Sequence, residues 1–196
     1  MPLIASVSGI RGTVPDSLNS DVIQRFMASF CDLLAPGAVV VGRDGRPSGS
    51  IIEEQVVAQL TAAGRDVYTI GVVPTPTVQM EILRHSAAGG ISISASHNPA
   101  EWNGLKFLGP SSMFLSPEEA AKLIARANAV QISRPPVGRR GTNTTVADAI
   151  TNHIAKVIAI PWIDVAAIRA RKFKVVVDAV NAGGSVAIPS LLREFG

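Results

Sequence analysis

Short apolar runs alternate with longer segments of helical periodicity along the chain, and this alternation is typical of strand–helix–strand units around a sheet. The apolar runs predict strands at residues 3–7, 38–41, 66–70 and 89–94. Apolar positions at helical spacing predict helices at residues 21–34, 50–64 and 77–84, and another from residue 116 onward. The pattern therefore predicts an α/β fold.

Capping signals mark where three of these helices begin. Asn19 and Ser20 precede the first helix, and Ser50-Ile51-Ile52-Glu53 has the spacing of a capping box. Ser116-Pro117-Glu118-Glu119 combines a cap, a proline at the first position and a glutamate at the third. We therefore expect helices to open at these points.

The periodic pattern stops between Ala129 and Thr145, where Pro, Gly, Arg and Thr/Asn residues predict a boundary. Two helices are predicted beyond it, at residues 146–158 and 163–170, then a strand at 172–178, a Gly-rich turn and a short helix ending at residue 196. Roughly 50 residues with one clear strand are too few to close a sheet. We predict a first domain over residues 1–144 and, over residues 145–196, linker helices and the truncated beginning of a second α/β domain.

Composition excludes several classes of protein. Apolar residues make up 47% of the chain and charged residues 17%, which rules out general disorder. The net charge is only +3 and aromatic residues do not interleave with basic ones, so nucleic-acid binding is not expected. No apolar run is long enough to cross a membrane. The single cysteine, Cys31, fits a reducing, cytoplasmic location and is expected to be a packing residue.

Three polar clusters carry the candidate chemistry, and each follows a predicted strand, where open α/β sheets place their sites. They are Ser8-Gly9-Ile10-Arg11-Gly12-Thr13, the segment from Gly42 to Gly49, and Ser94-Ala95-Ser96-His97-Asn98-Pro99 with its continuation to Phe107. In the first cluster, glycines beside Arg11 allow close approach of backbone to a ligand, and a guanidinium suits phosphate.

Other interpretations of these clusters are weaker. The Gly37–Asp44 stretch has the gap of a Walker motif, but a strand fills the gap and Arg-Asp replaces Lys-Ser/Thr. Ser96 and His97 are adjacent, so their side chains diverge, and no Gly-x-Ser-x-Gly elbow is present for a hydrolase. The pair Arg43 and Asp44 fits either a functional loop or a braced turn. His85 and His153 are expected at the surface of helices.

Together the three clusters resemble a known family. Ser-Gly-Ile-Arg-Gly, then Val-Gly-Arg-Asp-Gly-Arg-Pro-Ser-Gly, then Gly-Ile-Ser-Ile-Ser-Ala-Ser-His-Asn-Pro with a downstream Asn-Gly-Leu-Lys-Phe occur in this order. They are similar to the N-terminal domain of the α-D-phosphohexomutases, which include phosphoglucomutase, phosphomannomutase and phosphoglucosamine mutase. The similarity covers essentially all of residues 3–128. It implies a three-layer α/β/α domain with a mixed sheet, followed by the beginning of a second, similar domain.

The resemblance implies an isomerase that moves a phosphoryl group between O1 and O6 of a hexose phosphate. Ser96 would carry the phosphoryl group, and a hexose bisphosphate would form and turn over in the site. Arg11 and Lys106 would transfer protons and stabilise charge, and His97 is placed with them in the catalytic set. A phosphoserine carries nearly two negative charges, so cations close to it are physically required.

The resemblance also assigns residues that support the phosphoserine loop. It further implies that the phosphoserine contacts a metal ion. Asn98 would shape the loop together with His97, and Arg43 and Asp44 would support it. Members of the family hold Mg²⁺ with an Asp-Gly-Asp-x-Asp-Arg loop that does not occur here. Ser96 is therefore the one metal-contacting residue expected in this chain.

We accordingly expect an incomplete N-terminal portion of a mutase that is inactive by itself. Its expected partners are a hexose phosphate, a hexose bisphosphate and the remaining domains of the same polypeptide. Two alternatives stay open. One is a catalytically incompetent module that binds phosphosugars, and the other is a serine-dependent hydrolase that uses Ser96.

Overall fold

The computed structural model describes residues 2–129 and 138–196, so residues 130–137 of the predicted boundary lie outside the described part. The strands of the described part are β1 (Ile4–Ser6), β2 (Gly9–Thr13), β3 (Val39–Arg43), β4 (Val67–Val72), β5 (Gly89–Ile93), β6 (Trp102–Leu108) and β7 (Asn143–Thr145). Its helices are α1 (Ser20–Leu33), α2 (Gly49–Ala62), α3 (Thr75–Arg84), α4 (Pro117–Ala129), α5 (Ala149–Ile158), α6 (Val165–Arg171) and α7 (Gly184–Phe195).

The strands form one mixed sheet in the order β1-β2-β6-β5-β3-β4-β7. Strands β5, β3, β4 and β7 run parallel to their neighbours within that group. The remaining pairs, β1 with β2, β2 with β6 and β6 with β5, are antiparallel. The parallel half has the buried, β-branched strands that such sheets require, with Val39, Val40 and Val41 all at 0% exposure.

Helices cover both faces of the sheet. On one face, alternate residues of β2, β3, β5 and β6 pack with the apolar sides of α1, α2 and α4, and Phe26 and Phe30 lie against Phe107. On the other face, Val40 and Leu108 pack with α3 and with Ala149 of α5. This is the three-layer α/β/α arrangement with a mixed sheet that the resemblance implied, and it confirms that fold class.

The capping predictions hold at two of three helices. The side chain of Asn19 accepts a hydrogen bond from the Val22 amide, and Ser116 and Glu119 form a reciprocal capping box. The box predicted at Ser50 is wrong, because α2 already begins at Gly49. Glu53 instead forms an ion pair with Arg43, at 3.0 Å.

The prediction of a strand at residues 172–178 is wrong, since the structure assigns no regular element there. A strand needs a neighbour to bond with, and none of the described strands pairs with this segment. Its apolar side chains are exposed, Val176 by 98%. The division of the chain at residue 144 stays a prediction, although α5 does pack on α3.

His85 and His153 are not the surface residues that were predicted. The His85 ring stacks on Tyr68, with ring centroids 4.1 Å apart, and lies 3.2 Å from the carboxylate of Glu81. His153 shares a 2.8 Å hydrogen bond with Thr77, and burial lowers its pKa. Glu81 of α3 is fully buried, and its carboxylate accepts a hydrogen bond from Asn152 of α5. A polar network therefore joins α3 to α5. Both rings are half-buried, with His153 on α5 and His85 directly after the last residue of α3. Cys31 is buried, as predicted.

Candidate functional site

The sheet brings the three polar clusters together at one end of β2, β6, β5 and β3. Arg11 of β2 lies opposite Gly104 of β6, and the amide of Ser94 donates to the Gly104 carbonyl at 2.9 Å. Asp44, which follows β3, donates its amide to the carbonyl of Ile93 at 2.9 Å. Segments that are far apart in sequence thus meet at the same end of these strands.

Gly104 is what allows this close approach. A Cβ at this position would lie 2.6 Å from the Ile10 carbonyl oxygen, 2.9 Å from that of Ser94 and 3.1 Å from the Cβ of Arg11. All three distances are shorter than ordinary van der Waals contact. Without a side chain at Gly104, the strand carrying Arg11 and the segment leading to Ser96 pack directly on either side of it.

Ser96 lies in the exposed loop between β5 and β6, with φ at +57°. This left-handed conformation is unfavourable for a residue with a Cβ, and such residues cluster at functional sites. Its amide donates to the Ser94 hydroxyl at 3.0 Å. The backbone therefore presents the Ser96 hydroxyl on the surface rather than against the core.

Arg11 approaches the same loop from β2. Its Nη1 lies 3.4 Å from Oδ1 of Asn98, at the long end for a hydrogen bond. Its Nε is buried and has no partner in the described residues. A guanidinium that retains free donors beside an exposed serine is suited to bind an anion there.

Lys106 is half-buried on β6, with Ser92 of β5 as its register partner. Burial lowers its pKa below the usual 10.5, the nearby Asp44 carboxylate opposes this shift, and the Arg11 guanidinium adds to it. An ammonium that loses its proton more readily than usual is suited to proton transfer. The electrostatic influence of both Asp44 and Arg11 on Lys106 places all three groups in one region.

Arg43 and Asp44 turn out to have different partners. Arg43 pairs with Glu53 on α2, whereas Asp44 pairs with Arg46 at 3.3 Å. Sequence analysis did not single out Arg46, yet its guanidinium donates to backbone carbonyls of the Ser96 loop. Such contacts leave no pattern in a sequence, because every residue carries a carbonyl. His97 is exposed within the loop, and its role stays a prediction.

The described residues do not form a metal centre by themselves. In residues 2–129 and 138–196, no three His, Cys, Asp or Glu side chains are grouped so as to hold a metal ion. In the same ranges, no helix is long and apolar enough to cross a membrane. A cavity of about 570 Å³ lies between α2 and the segment 140–143, and none of its lining residues belongs to the three clusters.

Comparison with known proteins identifies the class to which this α/β/α domain belongs. The family model described as phosphoglucomutase/phosphomannomutase, α/β/α domain I, matches residues 3–133. The chain therefore belongs to the phosphoglucomutase/phosphomannomutase family, as the three clusters had indicated.

Individual relatives agree with this assignment. The chain is 31% identical over 202 residues to a phosphoglucosamine mutase of Desulforamulus reducens, covering 100% of the chain and 44% of the relative. It is 34% identical over 199 residues to a phosphoglucomutase/phosphomannomutase of Thermococcus kodakarensis, covering 96% and 42%.

Solved structures give the same fold. The crystal structure of a phosphoglucomutase/phosphomannomutase family protein from Burkholderia thailandensis superimposes with a TM-score of 0.72 at 23% identity, covering 98% of this chain and 43% of that one. The chain thus spans less than half the length of the relatives it matches.

Proposed function

We propose that this chain is the phosphoserine-bearing domain of a phosphohexomutase, which moves a phosphoryl group between O1 and O6 of a hexose phosphate. The observation that carries the proposal is the position of Ser96. Its exposed hydroxyl stands on a left-handed turn, in a loop that Arg11 contacts and on the same sheet edge as Lys106. The names of the relatives, which are mutases of phosphorylated sugars, support the same activity.

In the proposed reaction, phosphorylated Ser96 transfers its phosphoryl group to a free hydroxyl of the bound hexose phosphate. The bond between phosphorus and Ser96 Oγ breaks, and a bond between phosphorus and the sugar oxygen forms. The sugar hydroxyl gives up its proton and Ser96 Oγ gains one, so charge and atoms balance. The resulting hexose bisphosphate then returns its other phosphoryl group to Ser96.

The residues of this chain fit the demands of that transfer, which are mainly positioning and neutralisation of charge. Among the described residues, the guanidinium of Arg11 makes only the long hydrogen bond to Asn98, so its outer nitrogens keep donors for the phosphoryl oxygens. Lys106, with its lowered pKa, is suited to exchange a proton with the reacting oxygens. Asn98, which lies beside Arg11, orients the loop that carries the phosphoserine.

Mg²⁺ would neutralise charge on the transferred phosphoryl group, as in other phosphoryl transfers. Mg²⁺ prefers carboxylate and phosphate oxygens, and the described residues offer it no carboxylate cluster. A phosphoserine oxygen at Ser96 is the contact that this chain would contribute, with most ligands supplied from outside it. The single cysteine of the chain agrees with a cytoplasmic enzyme.

Locating the phosphate tests this proposal. The protein that carries this chain is incubated with a hexose 1,6-bisphosphate and analysed by peptide mass spectrometry. We expect one phosphate on Ser96, absent in Ser96→Ala and retained in the matched control Ser94→Ala. A phosphate on Ser94, or full turnover by Ser96→Ala, would contradict the assignment.

The same preparation separates the two alternatives. A phosphosugar-binding module would bind a hexose phosphate without isomerising it. A hydrolase would be labelled at Ser96 by an acylating inhibitor and would carry no phosphate there.

A further inference from the structure

The loop that carries Ser96 has few means of holding its shape. From Ser96 to Glu101 every side chain is exposed or half-buried, and the buried apolar side chains, Ala95 and Trp102, stand at the two ends of this stretch. The Glu101 carbonyl accepts from the Val14 amide at 2.9 Å, close to the second of these ends. Two backbone hydrogen bonds lie within it, from Asn98 to Ala95 at 3.2 Å and from Trp102 to Pro99 at 3.1 Å. Yet its serine adopts an unfavourable backbone conformation, which persists only where the surroundings enforce it.

The guanidinium of Arg46, from the loop between β3 and α2, contacts the backbone of this loop directly. Its Nη1 donates to the carbonyls of Pro99 at 2.6 Å and Trp102 at 2.9 Å. Its Nη2 donates to those of Ser96 at 2.9 Å and Asn98 at 2.6 Å. One side chain therefore binds four carbonyls spread over the whole loop.

The carboxylate of Asp44 binds the remaining donor of the Arg46 guanidinium, Nε. It thereby fixes the orientation of the planar guanidinium, which we call the fork. It accepts from Nε of Arg46 at 3.3 Å and from the Arg46 amide at 3.0 Å. Both side chains are only 13% exposed. All five N–H groups of the guanidinium thus have a partner, which leaves none for a phosphate. In this respect Arg46 differs from Arg11, whose Nε is unpartnered.

We propose that Arg46 is a positioning residue for the phosphoserine: its guanidinium holds the loop 96–102 in the shape that presents the Ser96 hydroxyl for phosphoryl transfer. The inference rests on the proposed function for the reaction itself, but the fixing of the loop can be tested without it. The planar fork is essential to the role. A lysine keeps the charge but has three donors on one nitrogen, and cannot satisfy four carbonyls and a carboxylate.

The chain contains a matched control in Arg65. Its guanidinium likewise donates to four backbone carbonyls, of Cys31 at 2.7 Å, Leu34 at 2.9 Å, Gly37 at 3.3 Å and Ala35. These carbonyls lie at the end of α1 and in the turn after it, away from the three clusters. Arg65→Lys removes the same kind of fork from a place that the phosphoserine does not use.

The first experiment follows amide hydrogen exchange in the 196-residue chain. In Arg46→Lys we expect exchange at Asn98 and Trp102 to accelerate at least tenfold, while the end of α1 is unchanged. In Arg65→Lys we expect the reverse, with faster exchange at Leu34. Asp44→Asn removes the ionic partner of Arg46 but keeps its guanidinium, and should accelerate exchange at Asn98 by a smaller factor. This variant replaces Arg46→Lys in the experiment if Arg46→Lys does not fold. Unchanged exchange at Asn98 and Trp102 in either folded variant would overturn the proposal.

The second experiment measures turnover in the mutase that carries this chain. A displacement of about 1 Å in a reacting group costs on the order of 10²-fold in rate. We therefore expect Arg46→Lys to lower kcat by that factor with KM for the hexose phosphate within about threefold, and Arg65→Lys to change neither. Equal losses in both variants, or full kcat in Arg46→Lys, would overturn the positioning role. If the parent protein itself shows neither turnover nor phosphate on Ser96, the proposed function fails, and the exchange experiment still decides whether Arg46 fixes the loop.

Discussion

Gly45 lies directly against the backbone of Asn181. A Cβ at Gly45 would stand 1.7 Å from the Asn181 carbonyl oxygen and 3.3 Å from the Cα of Ala182. The loop that carries Arg46 is therefore in contact with the turn at residues 179–183, more than a hundred residues later in the chain. That turn includes Val180 and Asn181, both with positive φ.

Gly45→Ala should displace this turn. The Arg46 fork and the Asp44 contacts hold the Gly45 side of the interface, whereas the turn has mostly exposed or half-buried residues. We expect faster hydrogen exchange at Ala182, whose amide bonds to the Ala179 carbonyl at 2.8 Å. Gly109→Ala is the control, because its Cβ would meet nothing within 4 Å. Equal exchange at Ala182 in Gly45→Ala and the parent chain would show that the contact is not tight.

If the proposed mutase activity is correct, Arg11→Ala and Lys106→Met should each lower turnover by roughly 10²-fold or more, the usual scale for a lost proton-transfer or charge-stabilising group. Arg139→Ala is the control. Arg139 is an exposed cation that pairs with Asp66 at 3.0 Å. Asp66 precedes β4, at the end of the parallel strands opposite the candidate site. Circular dichroism should show all three variants folded. A loss in Arg139→Ala as large as that in Lys106→Met would contradict the placement of the site.

Lys106 should titrate below its usual pKa of 10.5, because burial disfavours its ammonium form. Arg11→Ala removes a like charge and should raise the pKa of Lys106 towards the usual value. The chain has five lysines, so ¹³C NMR of labelled lysine Cε resolves each one, and the signal missing in Lys106→Met identifies Lys106. A fall in the pKa of Lys106 in Arg11→Ala would contradict the proposed electrostatics.

The same shift has a consequence for stability. The folded chain holds the Lys106 proton less tightly than the unfolded chain, so between the folded-state pKa and 10.5 the unfolded chain binds more protons. The free energy of unfolding should therefore rise with pH across that window. Urea unfolding at several pH values should show this rise in the parent chain and a weaker one in Lys106→Met.

Glu81→Gln should destabilise the chain by about 2–3 kcal/mol, because it removes the shared partner of a buried polar network. Glu81 accepts from Asn152 of α5 at 2.9 Å and from Arg84 at 3.3 Å, and is itself 0% exposed. The exposed Glu54, on α2, offers a matched control, and Glu54→Gln should stay within about 0.5 kcal/mol. Urea unfolding measures both variants, and equal stability in the two would refute the role of the network.

Much of the parallel half of the sheet could be predicted from the sequence, because β3 and β5 are short apolar runs with turn residues on either side. Strands β2 and β6 were not predicted. Their residues alternate between the core, as at Ile10 and Leu105, and the candidate site, as at Arg11 and Lys106, with glycines between them. A strand that carries a site on one face loses the apolar signal by which strands are found.

Sequence analysis offered candidate residues for the chemistry of the site, whose roles stay predictions, but it did not single out Arg46 as a support of their loop. Ser96, Arg11 and Lys106 belong to motifs whose residue types suggest phosphate chemistry. Arg46 donates to backbone carbonyls, which every residue carries. Its partners therefore leave no signal in the sequence and are visible only in the folded structure. The sequence also gives no sign of the partner of Glu81 on α5, because Asn152 is about seventy positions away.

The Arg46 fork has a consequence for protein engineering. The segment 94–104 looks like a self-contained motif, but it takes its shape from a side chain some fifty residues earlier and from the carboxylate that orients that side chain. Grafting it onto another scaffold would transfer Ser96 without the contacts that shape its loop. A transplant that keeps the geometry must move two loops together, the second being residues 42–49, and must keep the two strands that precede them hydrogen-bonded side by side.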